Sequence, residues 1–117
     1  MKQNSFLKKE HLKKSEAISR VFDRSIPIRG RFFSIFLLRQ EAKLGINRVA
    51  FITRRHLYNK KAVLRNRFIR LLREAYRKTK HFLPLGYDIV ILATNVKKDT
   101  KSAAIERELT HVFKKRA

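Results

Sequence analysis

The residues best suited to chemistry lie between Ala62 and Thr79, where arginines recur with almost no acid among them. Wound at about 100° per residue, Arg73, Asn66, Arg77 and Arg70 fall within about a 60° arc, with Arg67 and Lys78 flanking it. A guanidinium offers paired donors that match the oxygens of a phosphate, which the point charge of lysine does not. Successive turns of such donors can follow a phosphate backbone. Glu74 is the only acid in the interval. Like charges at this spacing cost ~0.2–0.5 kcal/mol per pair, where an ordinary solvated face of mixed sign would gain as much. The pattern therefore points to a polyanion. Arg65 falls at the edge of the opposite, apolar face, where it either snorkels or reaches past the helix end to a sheet edge; the sequence leaves both open.

A second candidate surface is aromatic. Phenylalanine is abundant, with Phe32, Phe33 and Phe36 inside one short apolar run. A strand with bulky residues on both faces is covered on both sides or exposes one face, and an exposed aromatic face beside arginines suits unstacked bases. Stacking contributes about 1–3 kcal/mol per base and tolerates any sequence. From spacing alone, Phe36 fits a core and a binding surface equally well. Arg48 and Arg54 stand at the two ends of one strand face nearby.

Other chemistries find no support. His11, His56, His81 and His111 are scattered, and the acids form no carboxylate cluster of the kind that holds Mg²⁺ in a protein metallonuclease. There is no Gly-rich phosphate loop, nucleophile elbow or Ser/His/Asp set, and the absence of cysteine excludes disulfides, thiol nucleophiles and thiolate zinc sites. No catalytic residue is expected in this chain, and its metal ligands are unknown.

These surfaces require elements to position them. Ser15 is a plausible N-cap for a short helix with Ile18, Val21 and Phe22 on one face, ending before Pro27. Arg31–Arg39 and Arg48–Arg55 read as strands, the latter with Val49, Phe51 and Thr53 on one face. Ala62–Thr79, free of Gly and Pro, is the longest helix, with Asn59 as its cap and Pro84-Leu85-Gly86 as the turn after it. Asp88–Thr94 reads as a buried strand. Ile105, Leu109, Val112 and Phe113 mark a final helix starting near Thr100 or Ser102. The order αββαβα makes one small α+β domain, in which the second strand, long helix and third strand form a βαβ unit with parallel strands. Residues 1–14, basic and sparse in apolar positions, read as a tail before a single domain at 15–117.

Composition agrees. With 30 Lys and Arg against 9 Asp and Glu, the formal net charge is +21, far beyond what solubility needs. An apolar content of 44% is nonetheless globular. A charged shell on a real core favours a nucleic-acid partner over a membrane, since no apolar run approaches a span. A cytoplasmic site is expected.

The run Ala62-Val63-Leu64-Arg65-Asn66-Arg67-Phe68-Ile69-Arg70-Leu71-Leu72-Arg73-Glu74-Ala75 resembles the signature of the bacterial ribonuclease P protein family, Ala-Val-x-Arg-Asn-x-x-x-Arg-x-x-Arg-Glu. Leu12-Lys13-Lys14 with Val21-Phe22 resembles that family's first helix, Arg31–Leu38 its first strand and Asp88–Ala93 its third. The resemblance implies a left-handed βαβ crossover, as in domain 2 of ribosomal protein S5, against the usual right-handed rule. It further implies a protein that assists an RNA-based endoribonuclease, with catalysis and Mg²⁺ residing mainly in the partner RNA. Carried over by position, contact with the catalytic RNA falls to Arg65, Asn66, Arg67, Arg70 and Arg73, with Arg77, Lys60 and Lys61 beside them. A cleft for the single-stranded 5′ leader of precursor tRNA falls to Ile18, Phe22, Phe33 and Phe36, with Arg48 and Arg54 beside it. No membrane or small-molecule partner is implied.

This chain departs from that pattern in three places. Ile18 stands where an aromatic is usual, Ser25 stands where glycine usually follows the first helix, and His56-Leu57-Tyr58-Asn59-Lys60-Lys61 is longer than the usual connection, with Lys60-Lys61 in place of Gly-Asn. A ribosomal-type RNA-binding protein or RNA chaperone shares the charge and the helix, but the Ala-Val-x-Arg-Asn signature argues against it. An autonomous nuclease lacks its acids.

Overall fold

The computed structural model describes residues 10–40, 45–53, 62–94 and 100–116. The elements are α1 (Ser15–Arg24), β1 (Ile28–Arg29), β2 (Phe33–Arg39), β3 (Arg48–Thr53), α2 (Ala62–Thr79), β4 (Tyr87–Ala93) and α3 (Ser102–Arg116), with a short 3₁₀ turn at Lys80–Phe82. The expected αββαβα order is present, with β1 added. The four strands form one mixed sheet in the order β1-β2-β4-β3. β2 runs antiparallel to β4, and β3 runs parallel to β4, as a βαβ unit requires.

The sheet has two dissimilar faces because side chains alternate along each strand. Phe33 and Ile35 of β2, Val49 of β3 and Ile89, Ile91 and Ala93 of β4 point to the side covered by α2 and α3. There they meet Phe68, Leu72, Ala75 and Tyr76 of α2 and Ile105, Leu109, Val112 and Phe113 of α3. Tyr76 sits edge-on to Phe51 at 5.8 Å and to Phe113 at 6.2 Å, in the T-shaped arrangement that ring quadrupoles favour. The other face carries a smaller core of Ala50 and Val90 under Val21 and Leu12, with Ile18, Phe22, Phe36, Leu38 and Ile52 packed around it. A helix of 10 residues is about 15 Å long, so α1 covers only part of this face.

Several expectations need correction. The N-cap of α1 is Lys14, in extended conformation with no side-chain cap bond; Ser15 is already helical. The cap of α2 proposed at Asn59 lies outside the described residues. Residues 10–14 are not tail. His11 bridges to Val49 along the β3 edge, the Leu12 amide donates to the Val49 carbonyl at 2.9 Å, and the Leu12 side chain is buried. The Lys80 ammonium donates to both Glu10 carboxylate oxygens, at 2.9 and 3.1 Å, tying this segment to the end of α2. Sparse apolar spacing concealed it because Leu12 is the single apolar residue between Glu10 and Lys14.

The turn into β4 is held from β3. Asn47 Oδ1 accepts the Tyr87 N–H at 2.8 Å, and its Nδ2 donates to the Pro84 carbonyl at 3.1 Å. Gly86, at φ +105°, supplies a backbone conformation that other residues rarely adopt. Among the described residues no helix is long and apolar enough to cross a membrane.

Candidate nucleic-acid interface

α2 presents the arginine face that its periodicity predicts. Phe68, Leu72, Ala75 and Tyr76 are buried, while Asn66, Arg67, Arg70 and Arg73 are exposed. Arg77 is different. Its guanidinium donates to both oxygens of Glu74, which lowers the Glu74 pKa and raises that of Arg77. Lys78 approaches Glu74 at 3.9 Å and Glu106 of α3 at 4.0 Å, so it faces the neighbouring helix. The single acid of α2 thus engages the C-terminal end of the face, and the positive charge that faces solvent lies over Arg67, Arg70 and Arg73. Lys60, Lys61 and Arg54 lie outside the described residues, as does the side chain of Arg65.

The face continues over the sheet edge. His11, held against β3, has its pKa lowered first by burial and then by the positive charges of Arg73 and Lys13, with Glu10 opposing them. Proximity of Arg73 to His11 places that side of α2 beside residues 10–14.

On the other face of the sheet α1 runs from the β3 edge, where Leu12 is fixed, towards β1. Phe22 projects from one side of α1 onto Phe36, ring edge to ring face at 4.7 Å with an interplanar angle of 70°. Both rings are half-buried, and Ile18 packs in the same cluster. Beside them opens a hollow of about 300 Å³ lined by Pro27, Arg29, Gly30, Ser34, Phe36, Leu92 and Thr94. Arg29 is a residue the sequence reading missed. It projects here because β1 pairs Arg29 with Ser34 and Ile28 with Ile35, placing Ile28 on the helix side and Arg29 on the α1 side.

Phe33 does not belong to this cleft. It is 0% exposed and lies in the core under α2 and α3. The reason was visible in the sequence: on a strand, residues three apart point to opposite faces, so Phe33 and Phe36 cannot line one surface. Arg48 is displaced too. Its Nε and Nη2 donate to Asp88 Oδ1 and Oδ2 at 2.9 and 2.8 Å, and this bond raises its pKa. It lines a separate hollow with Arg20 and Arg24, on the side of α1 away from Phe22.

The turn that carries Arg29 is fixed from α3. Glu108 Oε1 accepts the Phe32 N–H at 3.4 Å, and a Cβ on Gly30 would lie 1.6 Å from that oxygen. Only glycine lets the carboxylate reach the turn. Burial raises the pKa of Glu108, while the Phe32 and Arg31 amides pull it back. Among the described residues no three His, Asp or Glu side chains gather as a metal-ligand group.

The ribonuclease P family model matches residues 6–117. The chain belongs to the ribonuclease P protein family. The ribonuclease P protein component of Brevibacillus brevis is 34% identical over 104 residues, which cover 89% of this chain and 80% of that protein. A solved ribonuclease P protein from Staphylococcus aureus superposes with a TM-score of 0.73 at 26% identity, covering 90% of this chain and 93% of that one. The ribonuclease P protein from Thermotoga maritima, at 20% identity and TM-score 0.74 over 91% of this chain and 96% of its own, shows the shared fold.

Proposed function

We propose that this chain acts as the protein subunit of ribonuclease P, binding the catalytic RNA through α2 and the 5′ leader of precursor tRNA through the cleft beside α1. The observation that carries this reading is the pairing of two chemically different surfaces on one domain. The exposed guanidinia of Arg67, Arg70 and Arg73, with Asn66, suit a structured phosphate backbone; the Phe22 and Phe36 rings beside Arg29 suit unstacked bases. Arg65, Lys60 and Lys61 are assigned to the catalytic RNA and Arg54 to the leader by the family resemblance of the sequence, and Arg77 contributes less because Glu74 holds it.

Four of the acids among the described residues support a non-catalytic protein role. Asp88 serves Arg48, Glu10 serves Lys80, Glu74 serves Arg77 and Glu108 serves the Phe32 amide. Each is engaged by a partner within the protein. Mg²⁺ bound mainly by the partner RNA would supply the hydrolytic chemistry in the cytoplasm. This chain would lower RNA–RNA repulsion and fix the leader, both of which aid a reaction limited by positioning and charge.

Cleavage of labelled precursor tRNA at low Mg²⁺ tests the proposal, comparing ribonuclease P RNA alone, this chain alone and both together. Cleavage only with both is expected. Cleavage by the chain alone would relocate the active site to the protein, and failure to stimulate the RNA would favour a ribosomal-type or chaperone role.

A further inference from the structure

The side of α1 away from Phe22 closes a second hollow of about 260 Å³, where Arg20, Arg24, Arg39 and Arg48 surround a floor that includes Leu38 and Asp88. These arginines come from α1, the end of β2 and the start of β3, so the fold, not local sequence, brings them together. Arg20 and Arg24 stand one helical turn apart, a spacing at which like charges repel. Asp88 is the one acid that lines the hollow beside the four arginines. Its oxygens accept from Arg48 at 2.9 and 2.8 Å and from Gln40 at 2.9 Å, and its charge is met by Arg48. Glu16 and Asp23 of α1 lie beside Arg20 and Arg24 on the outward surface of that helix, outside the hollow, where four guanidinium groups meet one carboxylate. Arg39 packs over the Tyr87 ring at 5.4 Å and donates Nη2 to its hydroxyl at 3.3 Å, which anchors a five-donor group by one bond.

We propose that this hollow binds a phosphodiester of folded RNA, as a third contact separate from the α2 face and from the aromatic cleft. The inference rests on the reading of the chain as an RNA-binding subunit. Because α1 stands between the hollow and the Phe22–Phe36 pair, a leader bound in the cleft does not reach it, and the contact is independent of the leader. Its source is the catalytic RNA or the body of the tRNA, which share the same phosphate chemistry.

The test follows binding over a salt series for the full chain with ribonuclease P RNA, and for the reconstituted complex with mature and leader-bearing tRNA. The variants are Arg20→Ala, Arg20→Ala with Arg39→Ala, Arg39→Lys, and Arg107→Ala as an exposed α3 control. The double variant is expected to bind about tenfold or more weakly and to lower the slope of log K against log salt by roughly 1–2. Loss in the assembly arm assigns the phosphate to the catalytic RNA; equal loss with mature and leader-bearing tRNA assigns it to the tRNA body. Arg39→Lys keeps the slope but loses affinity, since charge remains while the planar fork is gone. Thermal melts exclude misfolding, and Arg20→Ala alone leaves the Tyr87 contact intact. A double variant that matches Arg107→Ala in every arm overturns the proposal, and so does a loss confined to leader-bearing tRNA. Arg70→Ala and Phe36→Ala, measured alongside, report on the proposed function itself: if they weaken RNA binding and the double variant does not, only the hollow is wrong.

Discussion

Replacing Arg48 with alanine tests whether this arginine holds the fold or grips the leader, two roles that the sequence alone could not separate. Asp88 lies in β4 directly opposite Arg48 in the parallel register, and its side chain is 8% exposed against 30% for Arg48. Removing the guanidinium leaves a nearly buried carboxylate with Gln40 Nε2 at 2.9 Å in place of a bidentate partner. Breaking a fully buried pair costs about 3–5 kcal/mol, and the partial exposure of Arg48 lowers the expectation to about 2–3 kcal/mol. Out of a total of about 5–15 kcal/mol for a small domain, the variant still folds. Urea unfolding should show the midpoint falling by about 1–2 M at unchanged m. Adding Asp88→Asn should recover part of the loss, because a buried amide left short of partners costs less than a buried charge. The ratio of affinities for leader-bearing and mature tRNA should stay at the wild-type value. Wild-type stability combined with a selective loss of leader binding would place Arg48 in the cleft and refute the structural role.

The aromatic cleft and the Gly30 turn can each be perturbed at one residue. Phe36→Leu keeps most of the packing against Phe22 but removes a stacking plane, so leader-dependent affinity should fall about 5- to 100-fold while mature tRNA binding is unchanged, as read from paired titrations. For Glu108, burial raises the folded pKa above its ordinary value of 4.5, so the folded state holds the proton more tightly than the unfolded state. Wild-type stability should therefore decline as pH rises from about 4.5 through the raised pKa, and Glu108→Gln should flatten that segment in melts taken across the range.

What was legible depended on periodicity. α2 announced itself because 18 residues without Gly or Pro separate an apolar stripe from an arginine stripe, and α3 did so through Ile105, Leu109, Val112 and Phe113. β1 could not be read, since two residues carry no period; it exists because Ile28 and Arg29 pair with Ile35 and Ser34. The site suffered in proportion. Arg29 depends on β1, and His11 depends on a segment fixed by one buried leucine and one ion pair across 70 positions. The partners of Arg48 and Glu108 are set by strand register and by helix docking, which local spacing does not encode. Phe33 is a different case: strand alternation already excluded it from the side of Phe36.

The placement of the acids also explains why so large a charge is compatible with a stable fold. Glu10, Glu106 and Asp88 each link elements distant in sequence, Glu74 neutralises the end of α2, and Glu108 pins the turn at Gly30. Among the described residues these five acids are engaged in joining structure, while exposed cations remain on α2 at Arg67, Arg70 and Arg73, on α1 at Arg20 and Arg24 and on α3 at Arg107, Lys114 and Lys115. Those cations repel one another in the free chain, and a bound phosphate backbone removes that repulsion while releasing counterions to solvent. RNA binding should then raise thermal stability by mass action, and raise it less at high salt, because affinity falls as salt screens and competes for the same phosphates. If the protection were insensitive to salt, the arginine surfaces would not be its source.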